Sequence, residues 1–187
     1  MKLLIKIFIN DINSYDLEQI INALDDNISD KKNTFINIMT NDEKVDLNFK
    51  VDFLNDYRVP IMINYKLSDL DWDLILPIVN PLLMKKNFDI LIKNEFKKNF
   101  QNLDGVLELR PFDENNNLFV IGRDYYNRFK WIYNPTYRIK NYDKEFNEVL
   151  DILDRRKIIN TINFKFLELK SEDDSIYELR NKNNFGL

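Results

Sequence analysis

Histidine and cysteine are absent from this chain of 187 residues, and glycine occurs only three times, as Gly105, Gly122 and Gly186. Without histidine the chain lacks the side chain that usually moves protons near neutral pH. Zinc and copper sites built on histidine or cysteine are excluded, as are Ser-His and Cys-His nucleophile pairs. The glycines lie too far apart for a phosphate-binding loop or a dinucleotide fingerprint. The available chemistry is therefore that of carboxylates, lysine, tyrosine and hydroxyl groups.

The chain is rich in Asn, Ile, Lys, Phe, Tyr and Asp, and Ala23 is its single alanine. This bias is typical of an AT-rich coding sequence, which accounts for part of the missing glycine and histidine. A hydrophobic fraction of 44% over this length predicts one domain, 1–187, that folds without disulfides or metal. Since no apolar run approaches the ~20 residues that span a bilayer, we expect a cytoplasmic protein without membrane contact.

Hydrophobic periodicity predicts a fold of mixed helices and strands. Alternating apolar residues predict strands at 3–9, 35–39, 45–53, 59–65, 106–110, 118–121, 128–133 and 162–166. Helical spacing predicts helices beginning at Ser14 and Ser68, and helices over 87–102 and 142–156. The second and third of these helices are expected to form a hairpin that covers a sheet.

The predicted elements follow the order β-α-β-β-β-α-α-β-β-β-α-β. Because the strands occur in consecutive runs, the pattern favours an α+β fold, with a mainly antiparallel sheet or sheets covered by three to four helices.

The segment from Gly122 to Lys140 combines five basic residues with six aromatic residues and one acid. One interpretation is a hairpin whose aromatic face is core and whose basic face is solvated. A second is a protein interface, because Tyr, Trp and Arg are common at binding hot spots. A third is stacking on single-stranded nucleic acid or a nucleotide. On the second interpretation, the partner-binding residues are Tyr125, Tyr126, Arg128, Trp131, Tyr133 and Tyr137.

The run Phe166-Leu167-Glu168-Leu169-Lys170 is the best candidate for catalysis. A carboxylate and a lysine two positions apart on a strand point to the same side, so Glu168 and an upstream acid, Asp154 or Asp151, could hold Mg²⁺ beside Lys170. The run resembles the PD-(D/E)xK nucleases, and that resemblance implies metal-dependent cleavage of phosphodiester bonds. Alternating charges on a solvated strand are the competing explanation.

We therefore expect a non-catalytic protein-binding domain, of the inhibitor type found among toxin-immunity and phage counter-defence proteins. Its expected partner is another protein, and no cofactor or metal ion is expected. Two alternatives stay open at this point: a nuclease using Glu168, Lys170 and Asp154, and a module that binds nucleic acid or a nucleotide.

Overall fold

A computed structural model describes residues 1–9, 14–41, 49, 51–80, 82–110, 117–137, 142–162 and 164–166; for residues 14–16 it describes the backbone alone. These residues form nine strands and five helices. The first half of the chain contains β1 (Leu3–Ile9), α1 (Ser14–Asp26), β2 (Thr34–Thr40), β3 (Val51–Phe53), α2 (Val59–Asn64), β4 (Leu74–Ile78) and β5 (Leu82–Met84). The second half contains α3 (Phe88–Asn99), β6 (Val106–Leu109), β7 (Leu118–Gly122), α4 (Arg123–Phe129), α5 (Tyr142–Leu153), β8 (Arg156–Ile159) and β9 (Phe164–Phe166).

Seven strands form one mixed sheet in the order β3-β2-β1-β4-β7-β6-β8, and β5 and β9 form a small antiparallel pair. Within the large sheet, β3, β2, β1 and β4 pair in parallel. β7 runs antiparallel to both of its neighbours, and β8 is parallel to β6. Six of the seven strands therefore point the same way, and their carboxyl ends meet at one edge of the sheet.

Helices cover both faces of this sheet, which explains why β1 is buried at every position from Leu3 to Ile9. A strand covered on both faces carries apolar residues continuously rather than alternately. On one face, α1 and α3 pack against Ile5, Ile7 and Leu76. On the other face, α2, α4 and α5 pack against Leu4, Phe8 and Ile75.

Two glycines lie where backbone and side chains pass too closely for a Cβ atom. A Cβ at Gly122 would lie 2.0 Å from the carbonyl oxygen of Leu103. At Gly105 it would lie 2.2 Å from the ring of Phe100. The amide of Gly122 also donates to the carbonyl of Gly105 at 3.0 Å, so the two positions lie side by side where β7 meets α4.

The prediction of a mainly antiparallel α+β sheet is wrong, because the sheet is mostly parallel and has a doubly wound α/β architecture. The prediction treated strands adjacent in sequence as hairpin partners. Here β2 and β3 are adjacent in space but parallel, with Ile38 opposite Val51. The first two strands are joined through α1, the kind of crossover that parallel pairing needs.

Three predicted elements differ in type from the observed ones. The expected strand at 59–65 is α2, and its second residue is Pro60, a residue well suited to a first helical turn. The helix expected from Ser68 is replaced by an irregular segment and the fully buried β4. The strand expected at 128–133 is the end of α4 and a loop. Short apolar runs do not distinguish helix from strand by spacing alone.

The longest periodic elements agree with the prediction. β1, β2, α1, α3, β6, β7 and α5 lie within a few residues of the predicted positions. The expected hairpin of α3 with a preceding helix is wrong, since β4 and β5 precede α3. The turn predicted around Asn115 and most of the strand predicted at 45–53 lie outside the described residues. Within the part that is described, no helix is long and apolar enough to cross a membrane.

Candidate functional site

The sheet topology points to the carboxyl edge between β1 and β4 as the place for a site. From β1 the order proceeds to β2 and β3 on one side and to β4 on the other. In open α/β sheets, ligands bind beyond the carboxyl ends of the strands where the order reverses in this way, because the diverging connections leave a crevice. The described residues at this edge of the sheet include the ends of β1, β2 and β4, the turn after β3 and the start of α5.

The turn between β3 and α2 projects an aromatic side chain at this edge. It is tied to β2 by the Leu54 amide, which donates to the Thr40 carbonyl at 3.1 Å. Asp56 accepts from the Arg58 amide at 2.8 Å and from Arg58 Nε at 2.9 Å. These hydrogen bonds hold the pKa of Asp56 below its ordinary value, so the carboxylate stays ionised. Tyr57, between the two paired residues, is 58% exposed.

Helix α5 brings carboxylates towards the same edge. The helix ends next to the start of β8 and packs back across the sheet, with Phe146 5.2 Å from the ring of Phe119 near the start of β7. Its first turn contains Asp143, which is exposed, and Glu145. The Asn134 side chain donates to Glu145 at 3.2 Å.

The loop before α5 is fastened at both of its described ends. The hydroxyl of Tyr137 hydrogen-bonds Glu145, which raises the pKa of that tyrosine. Asn64 at the end of α2 holds the start of the loop: its Nδ2 donates to the Tyr133 carbonyl and its Oδ1 accepts from the Ile132 amide, both at 2.7 Å. The described part of the loop is thus hydrogen-bonded to both α2 and α5.

A lysine is buried within β1, one of the two strands that border this crevice. Lys6 on β1 has no exposed surface and donates to the carbonyl of Tyr65. Burial lowers its pKa to about 8, although the nearby Asp52 carboxylate opposes that shift. Asn37, its neighbour on β2, donates to Asp52 at 2.8 Å, and its own Oδ1 accepts no hydrogen bond from the described residues. Lys6, Asn37 and Asp52 therefore form a polar cluster within the sheet.

A second buried charge, Glu108 near the carboxyl end of β6, holds several elements together. It accepts from Arg110 Nε at 2.6 Å, from the Asn117 side chain at 2.7 Å and from Arg156 at 3.0 Å. Arg156 in turn donates to Asn147 Oδ1 at 3.0 Å on α5. Glu108 thereby links both described flanks of the β6–β7 connection to β8 and α5.

Two further features limit where a ligand could bind. An apolar cavity of about 20 Å³ lies between α1 and the carboxyl halves of β1 and β4. It has room for about one water molecule, whereas ligand pockets usually exceed roughly 300 Å³. Among the residues that the structure describes, no three acidic side chains converge as a metal site.

The six residues expected to bind a partner are divided between core and surface. Tyr125, Tyr126 and Tyr133 are buried, and burial raises the pKa of Tyr125 to about 12. Arg128 donates to Asp104 with Nε at 2.8 Å and with a second nitrogen. Trp131 is 37% exposed. The hairpin interpretation is wrong because α4 replaces it, and contact with a partner stays a prediction for the exposed members.

The residues of the nuclease hypothesis are not brought together by any described contact. Glu168 and Lys170 lie outside the described residues. Asp154 is an exposed residue in the turn after α5, with φ of 50°. Asp151 pairs with Arg156.

Sequence reasoning assigned no site role to Lys6, Glu108 or the Asp56–Arg58 turn. A charged residue inside an otherwise apolar strand was the signal available for the first two, since such residues are buried only with partners.

Comparison with known proteins identifies the fold. No protein-family model matches the chain, and no curated protein matches it. Among solved structures, S. aureus TarS aligns with a TM-score of 0.69 at 12% identity over 96% of this chain. A fragment of TarS, residues 1–349 in complex with UDP, aligns with a TM-score of 0.67 at 12% identity. The chain spans 38% of the first TarS chain and 63% of the fragment.

A third structure is similar over its whole length. CMP:2-keto-3-deoxy-manno-octonic acid synthetase in complex with CTP aligns with a TM-score of 0.56 at 10% identity, with full coverage of both chains. One of these neighbours is a complex with UDP and another a synthetase in complex with CTP, and the interpretation as an inhibitor or immunity protein is wrong. At such identities the likeness establishes the architecture: this chain has the mostly parallel, doubly wound α/β fold that TarS and the synthetase share.

Proposed function

We propose that this chain is a nucleotide-sugar transferase domain that binds the nucleotide of its donor at the carboxyl edge between β1 and β4. The observation that carries the proposal is the strand order, with its reversal beside β1, in a fold similar to complexes with UDP and with CTP. A reversal of strand order is where the fold class places its ligands, independently of sequence identity.

The turn after β3 supplies a surface for the base. The Tyr57 ring is exposed at the edge, and the Asp56–Arg58 pair fixes the backbone on both sides of it. An aromatic ring held in this way offers a stacking platform without a further loss of backbone entropy on binding.

The first turn of α5 supplies the carboxylate for an acceptor. When a sugar is transferred to a hydroxyl group, a base takes the hydroxyl proton as the new glycosidic bond forms. The bond between the sugar and the phosphate of the nucleotide breaks, and the nucleotide leaves with its electron pair. Asp143 is exposed at the carboxyl edge, whereas Glu145 is occupied by Asn134 and Tyr137. We therefore assign the role of base to Asp143 and a supporting role to Glu145.

Binding is tested by titrating the protein with UDP, UDP-sugars, CMP and CTP in a calorimeter, with ADP for comparison. We expect saturable binding of at least one pyrimidine nucleotide. Loss of stacking in Tyr57→Ala should weaken it by about 5-fold to 100-fold. Phe35→Ala, which removes an exposed ring from the amino end of β2, is the matched control and should leave the affinity unchanged. Absence of binding to every nucleotide, or equal affinity in Tyr57→Ala, would contradict the proposal.

Transfer is tested by measuring release of the nucleotide from the donor that binds. Asp143→Asn should reduce turnover by about 100-fold or more while nucleotide affinity stays the same. Glu148→Gln, on an exposed position of the same helix, is the control and should retain turnover. Equal turnover in Asp143→Asn would remove that residue from the mechanism, and binding without any turnover would refute the transferase assignment.

A further inference from the structure

Helix α3 and the strand before it carry an exposed surface in which lysines alternate with aliphatic side chains. We name it the α3 patch; its members are Leu83, Lys85, Lys86, Ile90, Leu91, Lys97 and Lys98. Leu83, Ile90 and Leu91 are 39%, 38% and 43% exposed. Lys165 on β9, which is opposite Leu83 in the small sheet, extends the patch with a further exposed lysine.

The geometry of the helix places its own exposed residues on one side. Phe88, Ile92 and Phe96 are buried in the core between α3 and the sheet. At about 100° per residue, the exposed positions 90, 91, 94, 97 and 98 fall within an arc of roughly 120° on the opposite side. Ile90, Leu91, Lys97 and Lys98 thus belong to one face of the helix.

Neither acid of α3 is among the exposed residues of the helix. Asp89 is fully buried and accepts from the amides of Ser29 and Asp30 at 3.1 and 2.8 Å. Glu95 is partly buried and hydrogen-bonds Asn99, with Lys98 Nζ at 4.0 Å. From Leu83 to Asn102, the described exposed residues include four lysines and no acid.

This local positive charge occurs in a chain whose net charge is -4. Lys93 on the same helix does not contribute to it. That lysine is buried and donates to Asp30 and Thr34, both at 2.8 Å. The basic character of the exposed face therefore comes from lysines that no acid of the helix neutralises fully.

We propose that the α3 patch docks this protein on an anionic membrane surface. Lysines attract acidic lipid headgroups, and aliphatic side chains among them enter the boundary between headgroups and acyl chains. A protein surface that binds nucleic acid would instead offer exposed aromatic rings for stacking or arginines for phosphate recognition, and the patch contains neither. The sequence predicted no membrane contact, and the structure does not test that prediction. The present proposal differs from it in expecting peripheral contact with the membrane surface.

The α3 patch and the helices α2 and α5 lie on opposite faces of the sheet. α3 packs on the face of the sheet that contacts α1, whereas α2 and α5 pack on the other face. The proposal does not depend on the proposed nucleotide site, since it uses none of the residues assigned there.

The test is co-sedimentation of the full chain with vesicles of phosphatidylcholine containing about a third phosphatidylserine, compared with phosphatidylcholine alone. We expect binding to the acidic vesicles only. The double variant Lys97→Glu, Lys98→Glu should lower partitioning by about tenfold or more, because two attractive charges become repulsive. Ile90→Asn with Leu91→Asn should also lower it, since the inserting side chains are lost. The matched control is Lys144→Glu with Lys157→Glu, which changes net charge equally on α5 and β8 and should bind as the unmodified chain does.

Loss in both patch variants with binding retained in the control supports the proposal. Full binding by either patch variant overturns it, and so does equal loss in the control. Absence of binding to acidic vesicles also overturns it, including the case in which a single-stranded oligonucleotide binds instead. Circular dichroism of each variant verifies that these surface substitutions leave the fold intact.

Discussion

Lys6 shows how a single charged residue is accommodated in a strand that is otherwise apolar. Its ammonium group donates a hydrogen bond to the backbone carbonyl of Tyr65 and lies near the Asp52 carboxylate and the Lys66 ammonium group. Two lysines thus share one carboxylate, since Lys66 Nζ is 3.8 Å from Asp52 Oδ1. The positive charge at Lys6 is only partly compensated, which is why folding disfavours its protonated form.

The stability of the protein should therefore rise with pH in the alkaline range. The pKa of Lys6 falls from 10.5 to about 8 on folding, so between these values the unfolded chain binds more protons than the folded one. Between about pH 7 and about pH 9.5, this residue should add about 2 kcal/mol to the free energy of unfolding. Urea unfolding of the wild type and of Lys6→Met measures the effect as the difference between the pH dependences of their free energies of unfolding. The same pH dependence in both proteins would rule out Lys6 as its origin.

At the scale of elements, α5 is attached to the sheet by polar contacts as well as by its apolar face. Phe146 and Leu150 are buried under it, and Arg156 on β8 donates to Asn147 on the helix. Arg156 is held in turn by Glu108, whose side chain is completely buried. The position of the first turn of α5, and with it the proposed base, depends on this chain of contacts.

Removing the buried carboxylate should loosen α5. Glu108→Gln leaves Arg156 without its charged partner inside the protein, and breaking a buried ion pair typically costs about 3 kcal/mol or more. Urea unfolding should show this loss, and hydrogen exchange should show faster exchange of the α5 amides. Glu148→Gln is the control, because its ion pair with Lys144 at 3.9 Å is exposed and contributes roughly 0.5 kcal/mol or less. A loss below about 1 kcal/mol in Glu108→Gln would argue against this role.

At the scale of the whole molecule, the described sheet has well-paired central strands and two edge strands that are paired on one side only. β1 is paired along its full length with β2 and over five residues with β4. β3 and β8 lie at the margins of the described sheet, with a single partner each. Opening at a margin exposes less buried surface than opening at the centre, so local unfolding should begin there.

Native-state hydrogen exchange tests this gradient. The amides of β1 should exchange more slowly than those of β3 and β8 by about two orders of magnitude or more, as expected for central and frayed elements. The comparison is made within one sample, so it needs no variant. Equal protection of β1 and β8 would indicate that the sheet opens only as a unit.

Local elements were predictable from the sequence where periodicity is long, and the sheet topology was not. Strands such as β1 and helices such as α1 follow from side-chain spacing alone. Whether β2 and β3 form a hairpin or a parallel pair depends on how the connection packs, which spacing does not report. The single domain over 1–187 stays a prediction.

The candidate site was beyond sequence reasoning for a related reason. The carboxyl edge exists only once parallel strands are aligned, and Tyr57 and Asp143 reach it from segments 86 residues apart, as their numbers show. Neither residue stands in a motif. The composition of the segment from Gly122 to Lys140 suggested a binding surface, yet its Tyr125 and Tyr126 are core residues.

The close approach at Gly122 and Gly105 gives the sparse glycine content of this chain a second meaning. In a chain whose composition disfavours glycine, the two described glycines lie where a Cβ atom would collide with its surroundings. At Gly122 the obstacle is the carbonyl oxygen of Leu103, which belongs to the backbone and cannot turn aside, whereas at Gly105 it is a ring that can. In homologues with a similar nucleotide bias, the position of Gly122 should be the more persistent landmark for locating the junction of β7 and α4.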